Sequence, residues 1–222
     1  MPTPSEDIAM RLRHFLATAA LAAVAVALPA AAQMPSFGIK PLLGQASDAA
    51  LDRLSQPGAF SSDAAIRIAL PGAGNKGVGK LLELAQQSGM TADLDAALNR
   101  AAEQAATQAK PIFRAAIDKA TLNDAVDIAR GGSTGATDYL RKSTGAQITA
   151  QLQPLVRTAL QSSGVLQKTA QLQALGFNEA RLTDYVAAKT SDGIFTYVGR
   201  EETRMRQDPI GTGTQLLKGL RF

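Results

Sequence analysis

From Thr91 onward the apolar residues recur with the period of an α-helix, and nothing else in the chain constrains its fold so tightly. Leu94, Ala97, Leu98, Ala101, Ala105, Ile112, Phe113, Ala116 and Ile117 fall on one face at about 3.6-residue spacing. Thr91 is a good N-cap for that run, and Pro111 removes a backbone donor inside it, which predicts a kink or a break into two helices. Leu152, Leu155, Val156, Ala159 and Leu160 repeat the period, with Pro154 predicting another kink or a new first turn. A long helix is expected over 180–206. Shorter ones are expected after Ser47 as a cap, over 80–87, after Thr121 and Asp124, over 165–174 and near the end. Only "AIRIAL" (65–70) alternates as a strand would; "IFTYV" (194–198) also fits a helix. The expected fold is an all-α, single-domain helical bundle of about seven to nine helices, with one short strand or extended segment near 65–70.

The amino-terminal region follows different rules. Residues 10–33, "MRLRHFLATAALAAVAVALPAAAQ", place Arg11, Arg13 and His14 before an uncharged apolar stretch, Leu16 to Leu28. Pro29 and three alanines follow. That order is the pattern of a secretory signal peptide, with cleavage expected between Ala32 and Gln33. The apolar core falls short of the roughly 20 residues that span a bilayer, so no transmembrane segment is expected in the mature chain. Glu6 and Asp7 sit ahead of the basic region, which makes Met10 the better start. The domains expected are a signal peptide (1–32), an extended arm (33–46) containing Pro35, Gly38, Pro41 and Gly44, and a single helical domain (47–222). Without a cysteine at the cleavage site there is no lipid anchor, and the expected location is the periplasm.

Removing residues 1–32 leaves 190 residues, 21 of them basic and 17 acidic, still +4. These charges interleave and aromatics are few, so no nucleic-acid partner is expected. The only histidine, His14, leaves with the signal peptide, and cysteine is absent. A Ser-His-Asp triad, a cysteine nucleophile and the usual zinc and transition-metal sites are thereby excluded. No metal and no cofactor is expected. Any catalysis would fall to carboxylate, Lys, Tyr, Ser or Thr groups.

"LPGAGNKGVGKLLEL" (70–84) has the glycine and lysine spacing of a phosphate-binding loop. It lacks the Ser or Thr that must follow the lysine to hold magnesium, since Leu81 stands there. No parallel sheet is expected behind it, and an exported protein meets little nucleotide. A flexible connector remains, with Lys76 and Lys80 forming at most a weak anion site. Asp93 and Asp95 suit a helix start. Glu201 and Glu202, among Arg200, Arg204 and Arg206, read as a solvated salt-bridge face, and Asp138 precedes Lys142 in the favourable order for a helix pair. Asp192-Gly193 reads as a helix junction or a close backbone approach. "TDYLRKSTGAQIT" (137–149) and "TDYVAAKTSDGIFT" (183–196) echo one another at an offset of 46 residues.

"AKPIF" (109–113), "GGSTGATDYLRKST" (131–144), "DYVAAKTSDGIF" (184–195) and "EETRMRQDP" (201–209), in this order and spacing, resemble the bacterial exported family catalogued as domain of unknown function 4197. The resemblance covers roughly residues 48–220. It implies an α-helical, signal-bearing envelope protein, and it transfers no activity and no catalytic residue.

The expected function is that of a non-enzymatic binding module of the cell envelope, for an amphipathic or lipid-like ligand held between helices or for an envelope protein. The competing expectation is an enzyme using Asp, Tyr and Lys groups. Asp138, Tyr139, Arg141, Lys142, Asp184, Tyr185, Lys189, Asp192 and Phe195 are the candidates for a cleft or partner site under either reading. The enzyme reading requires the two Thr-Asp-Tyr segments to face one cleft.

Overall fold

The first helix starts earlier than its prolines and glycines suggest. The computed structural model describes residues 38–70, 91–121, 128, 131–167, 173 and 178–208, all within one compact unit, Met34–Phe222. In it, α1 spans Ile39–Leu54. An extended arm over 33–46 is therefore incorrect from Ile39 onward, and Ser47 is buried in mid-helix instead of capping one. The reason lies at Pro41, which falls in the first turn, where backbone N–H groups have no intrahelical acceptor and a missing donor costs nothing. Ile39, Leu42, Leu43, Ala46, Ala50, Leu51 and Leu54 then bury one continuous stripe.

Gly58, at φ 84°, turns the chain into α2 (Ala59–Ser62), which drives Phe60 into the core. Residues 63–70 follow without helix. Asn99, from the next helix, accepts from the Ile68 N–H at 2.9 Å and donates to the Ile68 carbonyl at 2.7 Å. Asp95 accepts from the Leu70 N–H at 2.9 Å. A side-chain amide offers a donor and an acceptor side by side, as a neighbouring strand does, so the backbone at 68–70 is satisfied with no strand beside it among the described residues. The expected extended run is instead a turn at 65 and 66, where the Ile66 and Arg67 N–H groups donate to the Asp63 carbonyl. Burial pushes the Asp95 carboxyl upward, against the N–H of Leu70.

The periodic run from Thr91 divides at the predicted place, into α3 (Ala92–Thr107) and α4 (Lys110–Lys119), with Pro111 in the first turn of the second. A 3-10 turn, Gly132–Thr134, leads into α5 (Gly135–Ser162). That helix runs on through Pro154, which begins no new helix; the residue is exposed, where a carbonyl deprived of its donor can be hydrated. The last described helix, α6, spans Glu179–Gln207, capped by the Asn178 side chain accepting from the Arg181 N–H at 2.9 Å.

Six α-helices form among the described residues, fewer than the seven to nine expected, and there is no strand. The helices expected over 80–87, beyond Asp124, past the 3-10 turn Val165–Gln167 and at the carboxyl end lie wholly or partly outside the described residues. So do the signal segment with Ala32 and Gln33, and the loop bearing Lys76 and Lys80. No described helix is long and apolar enough to cross a membrane.

The long helix α6 packs against α5 and α1, and α3 packs against α5. Ala101, Ala102, Ala105 and Ala106 of α3 are fully buried, and their small side chains let the helices approach closely. Phe113 and Phe195 meet with ring centroids 5.4 Å apart at 57°, a tilted arrangement favoured by aromatic quadrupoles. Gly193 is no helix junction. It lies within α6 where the Phe60 ring presses on the backbone, and a Cβ there would sit 2.7 Å from Phe60 Cε1.

Candidate functional site

The start of α5 is held by a carboxylate from the far end of the chain. The N–H groups of Ala136 and Thr137 belong to the first turn and find no acceptor within their own helix. Glu202 of α6 supplies one: its Oε1 accepts from Ala136 N at 3.1 Å and its Oε2 from Thr137 N at 2.8 Å. Oε2 also accepts from the Thr137 hydroxyl at 2.6 Å. Arg206, one turn on, donates to Glu202 Oε1 from Nε at 2.8 Å and from a terminal nitrogen at 2.7 Å. Glu202 is fully buried. Its neighbour Glu201, 3% exposed, pairs with Arg53 of α1 at 3.1 Å and with Arg204. A solvated salt-bridge face is thus incorrect for both acids. The i+3 and i+4 arginines are present as predicted, but the helix dipole of α5 and the guanidinium of Arg53 draw the carboxylates inward.

Above this junction α5 and α6 leave an open groove of about 340 Å³. From α5 and its preceding turn come Thr134, Thr137, Asp138 and Arg141; α6 contributes Phe195, Thr196, Gly199, Arg200 and Thr203. Every threonine hydroxyl is committed elsewhere. Thr134 donates to Asp138 at 2.9 Å, Thr137 to Glu202, Thr196 to the Asp192 carbonyl at 2.8 Å, and Thr203 to the Ser133 carbonyl at 3.4 Å. Gly199 completes the floor because a Cβ there would meet the Thr134 methyl at 3.2 Å and the Thr137 methyl at 3.8 Å.

Charged residues mark the rims. Arg141 pairs with Asp192 and lies 5.7 Å from the Phe195 ring centroid. Arg200 pairs with Asp63 and stacks 4.8 Å from the Tyr197 centroid. The Arg200 guanidinium, with the Ala65 N–H and the Tyr197 hydroxyl, holds the Asp63 carboxyl down at about 2. Asp63 in turn raises the guanidinium of Arg200. Burial and the same carboxylate raise the phenol of Tyr197. Asp138 differs from these. It accepts from the Thr134 hydroxyl and makes no ion pair with any described residue; the expected pairing with Lys142 is not formed.

The predicted candidates divide into two places. Asp138, Arg141 and Phe195 line the groove, and Asp192 steadies Arg141. Lys142 is exposed beside it. Asp184, Tyr185 and Lys189 lie farther along the antiparallel pair, where Asp184 accepts from Gln153 at 2.9 Å and Lys189 sits 6.0 Å from the Tyr185 centroid. From Asp138 to Gln153, the residue level with Asp184, is 15 residues of α5, about 22 Å at the helical rise. The two Thr-Asp-Tyr segments therefore do not share a cleft, and acid/base chemistry drawn from both has no common geometry. Their tyrosines are tethers: Tyr139 donates to the Thr121 carbonyl and Tyr185 to the Ala69 carbonyl, each at 2.7 Å. Burial raises the Tyr185 phenol, as does the charge of Asp95. Among the described residues no cluster of three His, Cys, Asp or Glu could hold a metal ion.

Thr196, Gly199, Arg200, Thr203 and Glu202 were not singled out from the sequence as site residues. A signal existed, since 196, 199 and 203 on α6, and 134 at the cap of α5 with 137 and 141 within it, share the 3-then-4 spacing of a single helix face.

A family model covers residues 30–220, and its family is described as a protein of unknown function, DUF4197. The chain belongs to this family. The assignment agrees with the resemblance carried by the four ordered motifs, and three of them, 131–144, 184–195 and 201–209, contribute to the groove. Comparison of this DUF4197 chain with curated proteins and with solved structures gave no match.

Proposed function

We propose that the chain is an exported, non-enzymatic module of the bacterial envelope that binds a protein partner through the groove between α5 and α6. Export rests on the basic, apolar and small-residue order of residues 10–33. The observation that carries the binding reading is an open groove whose four threonine hydroxyls are already hydrogen-bonded, to Asp138, to Glu202 and to two backbone carbonyls, with the Thr134 and Thr137 methyls against Gly199. Apolar surface left open between ordered charges is favourable to cover.

The shape favours a side chain of a protein over a lipid. A volume of about 340 Å³ lies at the small end of ligand pockets, roughly 300–1,000 Å³. The groove is open to solvent along its length, and Leu140, Ile148 and Phe113 are buried outside its lining, which suits a short side chain better than an acyl chain. The test is crosslinking of the mature chain, residues 33–222, in its native envelope, alongside a Thr196→Trp variant that fills the groove. The reading expects a defined protein crosslink that the variant loses while its melting temperature is kept. Recovery of the same crosslinks from both chains, or lipid alone, would discard it.

A further inference from the structure

We infer that the groove selects a basic side chain, a lysine or arginine presented by its protein partner, with Asp138 receiving the cationic head. The inference deepens the reading of the groove as a partner site and rests on it. It follows from the charges around the floor. Arg141 and Arg200 are each neutralised, by Asp192 and Asp63, and neither is free to take an anion without giving up its carboxylate. The Phe195 ring already carries the Arg141 guanidinium. Asp138 is the lining charge that no described residue pairs, with only a threonine hydroxyl against it. Glu202, the other nearby carboxylate, is buried behind Thr137 and spent on Arg206 and the start of α5.

The rest of the groove fits the same ligand. Lysine and arginine carry three or four methylenes behind the charge and bury them along apolar surface while the head stays solvated. Thr134, Thr196 and Thr203, each partly exposed, line the groove beside the Asp138 carboxylate, over the buried Thr137 and Gly199. An acidic side chain would meet an unpaired carboxylate, and a purely aliphatic one would leave it as it stands in the free protein.

The experiment is a titration of the isotope-labelled mature chain with three blocked pentapeptides that differ at their centre: Ala-Leu-Lys-Leu-Ala, the same with norleucine, and the same with Glu. Amide shifts of Thr134, Thr137, Gly199 and Thr203 report on the groove, and Asp138→Asn, which keeps the acceptor for Thr134, is titrated beside the native chain. The inference expects the Lys peptide to move those amides and to bind tighter than the norleucine peptide by about two- to fivefold, the factor an exposed charge pair supplies. Asp138→Asn should remove that difference, and raised salt should shrink it. Equal binding of the Lys and norleucine peptides, or a preference that survives Asp138→Asn, would overturn the choice of a basic side chain and leave the groove as an apolar partner site. Groove amides that move with none of the three peptides would overturn both readings.

Discussion

Glu202→Gln tests how much of the site depends on one buried carboxylate. The substitution keeps the size of the side chain but turns one acceptor oxygen into a donor. If the new amide faces Thr137, it meets an N–H at 2.8 Å and a hydroxyl at 2.6 Å. If it faces the other way, it meets the Ala136 N–H and two nitrogens of Arg206. Either way donors oppose donors in a fully buried place, and Arg206, only 18% exposed, loses the Glu202 carboxylate. Breaking one side of a buried pair costs about 3–5 kcal/mol. For a domain of this size 1 kcal/mol moves Tm by roughly 2–4 °C, so the variant should melt about 10 °C lower. Urea unfolding followed by circular dichroism measures the loss, and amide exchange locates it. The N–H groups of Ala136 and Thr137 should lose protection before those at the middle of α5. The double variant with Thr137→Val should be non-additive, with about 0.5–3 kcal/mol of coupling. A loss below 1 kcal/mol, or unchanged protection at both amides, would refute the account of Glu202 as the cap of α5.

Three further substitutions test other parts of the frame. Asn99→Leu strands the buried N–H and carbonyl of Ile68 and should destabilise by about 2–4 kcal/mol in a urea melt. Gly135→Ala places a Cβ 2.1 Å from the Ile128 carbonyl oxygen, whereas Gly193→Ala meets the edge of a phenyl ring at 2.7 Å; the ring can yield, so calorimetry should find Gly135→Ala the more damaging. The carboxyl of Asp63 is lowered from 3.8 to about 2, so its contribution is present above pH 4 and lost as pH falls toward 2. Asp63→Asn should therefore flatten the stability profile in that window by at most about 1 kcal/mol, after discounting for solvent screening. The same variant should leave the profile between pH 6 and 8 parallel to the native one.

The helices were legible where one face is apolar and the other is not, as in α3 and α4, and the break at Pro111 follows from the missing donor alone. The start of α1 was not, because proline is a breaker or a starter according to its position relative to a first turn that composition does not mark. The segment at 65–70 alternates as a strand would, but it turns at 65 and 66 and its partner beyond is an asparagine on a helix, and no pattern within six residues reveals that. Of the residues that line the groove, Asp138, Arg141 and Phe195 stand in the motifs read from the sequence. Glu202 was misread for a physical reason. Acids with arginines at i+4 look the same on a wet helix as on a buried one, and the difference lies in the N–H groups of Ala136 and Thr137, more than sixty residues away in sequence.

That separation has a consequence for how the molecule comes into being. The start of α5 is closed by a residue 65 positions later in the chain. At a synthesis rate of about 5–20 residues per second, Glu202 emerges some 3–13 s after Thr137, and until then the first turn of α5 has only water to satisfy it. Loop closure over such a span is entropically slow compared with the local turns of either helix. The groove is thus among the last features to assemble, and a chain truncated before Glu202 would retain every α5 threonine that lines it while lacking the carboxylate that sets their register against α6.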